Sequence, residues 1–100
     1  MTAKEDIQEI GSTEFKKLIS SETEKIVIVD FYAEWCMPCI MMSPVLESIA
    51  ENNKKVKIVK INIDDEQGLA REYQVSSIPC IIFFKKSNEL DRIVGSVDEE

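Results

Sequence analysis

The stretch that decides the fold is Trp35-Cys36-Met37-Pro38-Cys39, which follows the apolar run IVIVDFY at residues 26–32. The run predicts a buried strand, and residues 39–52 have the apolar spacing of a helix. Two thiols three positions apart at a strand-to-helix junction are the arrangement of a dithiol redox site. A helix start directs unpaired N–H groups and the positive end of its dipole at the first thiol, which favours the nucleophilic thiolate. The second thiol, one turn further on, can then attack a mixed disulfide and release its substrate.

A structural disulfide and a metal site are the alternatives for this cysteine pair. Closing so small a loop removes only about 2 kcal/mol of unfolded-state entropy, so a structural disulfide here would stabilise the fold little. Zinc usually takes four ligands, and the sequence has no histidine and one further cysteine, Cys80. A zinc or iron–sulfur site that uses Cys36, Cys39 and Cys80 across a dimer stays open as an alternative to redox chemistry.

Length and composition predict a single globular domain over residues 1–100. Apolar residues make up 44% of the chain and charged residues 31%, as in an ordinary globular protein. The net charge of −7 argues against nucleic acid and anionic membrane surfaces as partners. No apolar run is long enough to span a bilayer, and the first residues lack the apolar segment of a signal peptide. Together with the odd cysteine count, these features predict a reducing, cytoplasmic compartment.

The pattern of apolar residues predicts strands and helices in alternation. Strands are expected at residues 7–10, 25–32, 56–63, 80–85 and 90–94, with a turn at 86–89, and helices are expected at 12–20, 36–53 and 66–73. The continuously apolar runs at 26–29 and 81–84 predict strands that are covered on both faces. The expected fold is therefore an α/β domain with a mixed sheet and helices on both sides.

The first two helices each have an apolar stripe that should face the sheet. In the first helix, Ser12 or Thr13 is expected as the N-cap, and the stripe consists of Phe15, Leu18 and Ile19. Pro44 lies inside the second helix and predicts a kink there. The expected buried stripe of the second helix consists of Met42, Val45, Leu46, Ile49 and Ala50.

Four motifs occur in order along the chain: VDFYAEWC at residues 29–36, KINID at 60–64, Ile78-Pro79 and Gly95. Together they resemble the signature of the thioredoxin family over nearly the whole chain. The resemblance implies a thioredoxin fold and a protein disulfide reductase active in electron transport and cell redox homeostasis. It implies no bound cofactor, because the two thiols carry both electrons. Its partners would be protein disulfide substrates and a thioredoxin-reductase-type electron donor, with the protein a monomer or weak dimer.

The resemblance also implies a role for each residue around the dithiol. Cys36 would be the attacking thiol and Cys39 the buried resolving thiol, while Pro79 would follow a cis peptide bond and lie against them. A trans proline at a strand start is the ordinary alternative for Pro79, and packing without a site role is the alternative for Trp35. The implied docking surface is flat and apolar, and beside Pro79 it includes Trp35, Met37, Pro38, Ile63, Ile78, Val94 and Gly95.

Two charged residues interrupt the predicted strands. A carboxylate at Asp30 would be desolvated, so its pKa would rise and it could accept the proton of Cys39, directly or through a water. Lys60 lies in an otherwise apolar strand, and the resemblance places a lysine here near the buried aspartate. The alternatives are that Asp30 points to solvent at a strand end and that Lys60 is an ordinary solvent-facing lysine.

Four departures from the family pattern stand out. Met37 replaces a usual glycine, Ile40 a common lysine and Cys80 a usual threonine. The family closes with a helix, whereas residues 96–99 resemble a helix start and the chain then ends, so the closing helix is apparently missing. A truncated sequence is the expected explanation rather than a natural domain without the helix.

A protein-binding module is the competing function from a different class. In such a module the flat apolar face would dock a partner and the dithiol would be incidental. Disulfide turnover that is lost in Cys36→Ser would separate the two functions.

Overall fold

Five strands and three helices follow one another along residues 7–95, the part of the chain that the computed structural model describes. The elements are β1 Gln8–Glu9, α1 Ser12–Ser21, β2 Ile26–Tyr32, α2 Met37–Asn52, β3 Val56–Asn62, α3 Gln67–Glu72, β4 Cys80–Lys85 and β5 Asn88–Val94. The sheet has the order β1-β3-β2-β4-β5, in which β1, β3 and β2 are parallel and β4 and β5 are antiparallel to their neighbours. This confirms the predicted α/β architecture with a mixed sheet.

The central strand β2 pairs with β3 on one side and β4 on the other, so both of its faces are available for packing. Side chains alternate between the faces of a strand. Val29 and Phe31 therefore belong to the cluster on one face, while Ile28 belongs to the cluster on the other. This confirms the prediction that the continuously apolar runs are strands covered on both faces.

One face of the sheet, here called the α1/α3 face, is covered by α1 and α3. Phe15 of α1 makes edge-to-face contacts with Tyr73 and Phe84, with ring centroids 5.5 Å apart in each case. Ile19 and Leu69 join the same buried cluster, and Leu18 packs against it. The apolar stripe predicted for the first helix is confirmed, and such aromatic pairs add about 0.5–1.5 kcal/mol beyond burial.

The opposite face, here called the α2 face, is covered by α2. Met42 and Leu46 are buried against the sheet, and Ala50 packs beside them. The prediction was wrong for Val45 and Ile49, which are 44% and 38% exposed. They lie along one edge of the stripe, and in residues 7–95 the other two helices belong to the α1/α3 face, so that edge has no helical neighbour.

The ends of the elements differ from the predictions in detail. Gly11, rather than Ser12 or Thr13, is the N-cap of α1, and its N–H donates to Glu14 Oε1 at 3.1 Å. Positive φ angles at Lys86 and Ser87 form a two-residue turn, so β5 begins earlier than residue 90. Pro44 lies inside α2, and its kink stays a prediction. The helix start predicted at 96–99 lies outside the described residues.

No helix within residues 7–95 combines the length and the apolar character that a membrane span needs.

Candidate active site

The cysteine pair lies at the junction of β2 and α2, directly beyond the carboxyl end of the central strand. Cys36 is the N-cap of α2, and its Sγ accepts a hydrogen bond from the backbone N–H of Cys39 at 3.2 Å. Pro38 fits the first turn because the N–H that proline lacks has no partner there. Cys36 and Cys39 form a disulfide, with Cα atoms 5.3 Å apart, and both residues are buried. After reduction, the same N–H group and the helix dipole would stabilise a thiolate on Cys36.

The loop before β4 packs against this disulfide. The peptide bond between Ile78 and Pro79 is cis, as predicted, so the trans alternative is wrong. Ile78 and Ile63 pack against the cluster that contains both cysteines. The N–H of Gly95, which has a φ of 87°, donates to the Pro79 carbonyl at 2.8 Å and ties the end of β5 to this loop.

Around the disulfide, several apolar side chains are exposed. Trp35 is 69% exposed, and its Nε1 donates to Asp64 Oδ2 at 2.9 Å, so the tryptophan is not a core residue. Met37 and Val94 are also exposed, as is Pro38. Ile63, Ile78 and Gly95 are half-buried at the edge of this surface, and Pro79 is buried behind it. The residues predicted to form a docking surface are therefore in part exposed and in part half-buried, and Pro79 is buried.

Met41 belongs to the exposed apolar side of α2 and was missed by the sequence predictions. It lies one turn beyond Met37, and it is 68% exposed. The signal for it is the spacing of four residues, which places the two methionines on the same side of the helix. Ile40 is exposed as well, where the family commonly has a lysine.

Asp30 lies on the α2 face and is buried, with only 4% of its surface exposed. Its Oδ1 has no hydrogen-bond partner among residues 7–95. Desolvation raises the pKa of Asp30 to about 6, and the charge of Lys60 opposes that rise. The alternative in which Asp30 points to solvent at the strand end is wrong.

Lys60 is the register partner of Asp30 on β3, and it is half-buried. Its Nζ lies 5.1 Å from the centre of the Tyr32 ring, within the range of a cation–π contact. The Tyr32 hydroxyl in turn donates to Glu9 Oε1. Desolvation and the bond to Glu9 both raise the pKa of Tyr32. Glu9 was not predicted as a site residue, because a two-residue strand gives no sequence signal for what its side chains meet.

A cavity of about 300 Å³ is lined by both the buried carboxyl group of Asp30 and Cys39. Since one water occupies about 30 Å³ of liquid, this cavity has room for several waters. A smaller neighbouring cavity of about 190 Å³ is also lined by Asp30 and Lys60. The larger cavity is lined by Glu9, Asp30, Tyr32, Ala33, Glu34, Cys39, Ile40, Ser43 and Lys60.

Cys80 belongs to a different buried cluster from Cys36 and Cys39. It is a free, buried cysteine that pairs with Phe31 and Val94 in the sheet and belongs to the cluster of the α1/α3 face. Burial raises the pKa of the Cys80 thiol, and the nearby Arg92 side chain opposes the rise. No group of three or more His, Cys, Asp or Glu side chains in the described range could hold a metal ion.

A disulfide lies at a helix N-terminus beyond the central strand, and the residue before a cis proline packs against the two cysteines. This arrangement defines the class of thiol-disulfide oxidoreductases with a Cys-x-x-Cys couple. A family model described as thioredoxin matches residues 6–100. The chain belongs to the thioredoxin family. It is a thiol-disulfide oxidoreductase that reduces disulfides in proteins, and Cys36 and Cys39 are its redox couple.

Individual relatives agree with this membership. The chain is 48% identical over 91 residues to a thioredoxin from Chlamydia pneumoniae, an alignment that covers 91% of this chain and 86% of the relative. The structure of a mutant thioredoxin from Halobacterium salinarum NRC-1 has a TM-score of 0.84 and 32% identity, covering 98% of this chain and 85% of that chain. Oxidised mitochondrial thioredoxin 3 from Saccharomyces cerevisiae has a TM-score of 0.81 and 32% identity, covering 89% and 83%. The predicted thioredoxin fold is confirmed.

Proposed function

We propose that Cys36 is the attacking thiol and Cys39 the resolving thiol of this disulfide reductase. The observation that carries the assignment is the hydrogen bond from the Cys39 N–H to Cys36 Sγ at the start of α2. Among helix-bound thiols, the one at the N-terminus receives the most stabilisation as a thiolate, because the unpaired N–H groups and the dipole both act there. Cys39 lies one turn inside the helix and lacks that position.

In the reaction, a two-electron exchange transfers one disulfide bond from substrate to enzyme. The Cys36 thiolate attacks one sulfur of the substrate disulfide, a new S–S bond forms, and the other substrate sulfur leaves as a thiolate that takes up a proton. Cys39 then loses its proton and attacks Cys36 Sγ. The mixed disulfide breaks, the second substrate thiol is released, and Cys36–Cys39 is the oxidised product.

We propose that Asp30 accepts the proton that Cys39 loses when it attacks the mixed disulfide. The carboxyl group and the cysteine line the same cavity, which has room for waters that could carry the proton between them. A pKa of about 6 suits the task, since such a carboxylate is ionised at neutral pH and yet more basic than an exposed one. Lys60 would favour the ionised form of Asp30 through its charge.

The substrate would dock on the apolar surface around the disulfide. Trp35 and Met37 are 69% and 63% exposed, and large exposed apolar side chains grouped at one site are typical of a protein-binding surface. Pro79, Ile78 and Gly95 would border it, and the rest of the surface would come from Pro38, Ile63 and Val94.

Electrons would return to the disulfide from a thioredoxin-reductase-type donor, as part of cell redox homeostasis and electron transport. The protein would be located in the cytoplasm and would be a monomer or weak dimer.

Two matched serine variants test these assignments. With a disulfide-containing test protein, Cys39→Ser should accumulate a mixed disulfide through Cys36, whereas Cys36→Ser should form none and lose turnover. Limiting iodoacetamide at neutral pH should label Cys36 of the reduced wild type before Cys39. Preferential labelling of Cys39, or a mixed disulfide through Cys39 in Cys36→Ser, would reverse the assignment.

A further inference from the structure

Glu9 and Lys60 are opposite charges at paired positions of neighbouring parallel strands. Register partners in a sheet point to the same face, so the two side chains are placed to form an ion pair. The Glu9 carboxylate instead accepts the hydroxyl of Tyr32. The Lys60 ammonium lies over the ring of that same tyrosine, 5.1 Å from its centre.

Tyr32 thus contacts both members of the potential ion pair through different parts of its side chain. Its hydroxyl holds the carboxylate, and its ring holds the ammonium. Lys60 lines the same cavity as Asp30, and its charge opposes the rise in the pKa of that carboxyl group. Without the hydroxyl, the Glu9 carboxylate would lose its donor, and its nearest cation in the cavity lining would be Lys60.

The other charged and titratable groups around Asp30 come from several elements. Glu34 precedes α2, Cys39 and Glu47 lie on α2, and Cys80 lies on β4. Glu47 has a partner of its own. Lys60 is the single lysine or arginine that lines either cavity in the described range, so its position determines the electrostatic support that Asp30 receives.

We propose that Tyr32 is a positioning residue, whose hydroxyl occupies Glu9 so that Lys60 stays beside Asp30 instead of pairing with Glu9. The inference rests on the proposed function only in that Asp30 is the proton acceptor for Cys39. It adds two residues to the acid–base machinery, Tyr32 and Glu9, and both act through Lys60. The pH at which Asp30 becomes a competent acceptor is then set by a contact on the edge strand β1.

The direct test is the pKa of Asp30, measured by carbon-13 NMR of the carboxyl groups in the oxidised protein, with Asp30→Asn to assign the signal. Tyr32→Phe keeps the ring and removes the hydroxyl. We expect it to raise the pKa of Asp30 by about 0.5, since part of an opposite charge is withdrawn. Glu9→Gln should change that pKa little, because the amide oxygen can still accept from Tyr32 and the competing charge is gone.

The double variant distinguishes this proposal from a general disturbance of the site. In Tyr32→Phe combined with Glu9→Gln, the Glu9 carboxylate that would compete with Asp30 for Lys60 is absent. The pKa of Asp30 should therefore return close to the wild-type value. A pKa that does not change in Tyr32→Phe overturns the proposal. So does a raised pKa that persists in the double variant, because the rise would then come from the missing hydroxyl itself.

Kinetics separate this proposal from the function on which it rests. The rate of mixed-disulfide resolution, followed against pH, should have its midpoint raised in Tyr32→Phe by the same amount as the pKa of Asp30. If Asp30→Asn leaves resolution unchanged at every pH, the proposed role of Asp30 fails. The NMR comparison of the variants would still decide whether Tyr32 positions Lys60.

Discussion

Within residues 7–95, twelve buried residues form one cluster on the α1/α3 face of the sheet, whereas the cluster on the α2 face contains five. The two faces are built from the same strands. On the first face, three aromatic rings pack edge to face with no buried charge among them. On the second, the strand residue between Val29 and Phe31 is a buried carboxylic acid with an unpartnered oxygen, and two cavities reach it.

The α1/α3 face therefore mainly stabilises the fold, whereas the α2 face carries the buried titratable group beside the cavities. A well-packed apolar cluster stabilises a fold but leaves no space for water beside its members. A buried carboxyl group next to water-sized space costs stability, and it is also what an acid–base group requires. Because β2 carries both kinds of residue in alternation, one strand supports the core and the proton acceptor together.

The largest expected effect is on the packed face. Phe15→Ala should lower the free energy of unfolding by about 3–5 kcal/mol, since a fully buried ring is removed from an aromatic cluster. Urea unfolding would measure it. The redox potential of the Cys36/Cys39 couple in the folded fraction should not change. A loss below about 1 kcal/mol would mean that the α1/α3 face is loosely packed and that the two faces of the sheet do not differ in this respect.

The second effect has the opposite sign and belongs to the α2 face. The pKa of Asp30 is 3.8 when exposed and about 6 in the fold, so the folded protein binds the proton more tightly. The stability that the protonated group contributes is fully present below pH 3.8 and is lost as the pH rises through 6. Asp30→Ala should therefore stabilise the protein at pH 8, and this gain should shrink by about 2 kcal/mol at pH 4.

Urea unfolding of wild type and Asp30→Ala across that pH range is the measurement. The control is Asp64→Ala, because Asp64 is an exposed carboxylate near the site. Equal effects of Asp30→Ala at pH 4 and pH 8 would show that the carboxyl group is not desolvated.

A third and smaller effect tests whether Cys80 only packs in the core or also takes part in disulfide exchange. Cys80→Ser places a hydroxyl in the apolar cluster and should cost about 1–3 kcal/mol, whereas Cys80→Ala should cost less because it adds no polar group. Both variants should keep the redox potential of the dithiol. Oxidised glutathione should give only the Cys36–Cys39 bridge in the wild type, by mass spectrometry of disulfide-linked peptides. A Cys80-containing disulfide in the folded protein would make this cysteine a redox participant.

The smallest effect lies at the exposed edge of α2. Ile49→Gln should change the free energy of unfolding by no more than about 0.5 kcal/mol, as at other surface positions. Leu46→Gln, one turn earlier on the buried side, is the matched control and should cost several times more. Similar losses from both variants would mean that something covers Ile49 in solution.

The order of strands and helices was predictable because apolar periodicity and the Cys-x-x-Cys motif are local signals. The buried state of Asp30 was predictable too, since its neighbours on both sides are apolar. The exposure of Val45 and Ile49 was not predictable. A stripe of apolar residues shows which side of a helix faces the core, but it does not show how much of that side the sheet covers. The cap at Gly11 was missed because glycine offers no side chain that marks a helix start.

Contacts between distant parts of the chain set the limit at the site. Glu9 meets Tyr32 across a separation of 23 residues, and Trp35 meets Asp64 across 29. Neither contact follows from local spacing, because each depends on the sheet order that brings β1 and the end of β3 to the dithiol. The motif identified the reacting sulfurs, while the groups that surround them required the three-dimensional structure.

The exposure of Trp35 has a consequence for spectroscopy. It is the only tryptophan in the sequence, so the indole fluorescence of the protein comes from a single position beside the disulfide. Because that indole is already largely in contact with water, unfolding changes its surroundings little, and its emission wavelength is a poor reporter of denaturation. A partner that covers the ring would move the emission to the blue, so the same fluorophore reports the arrival of a substrate protein.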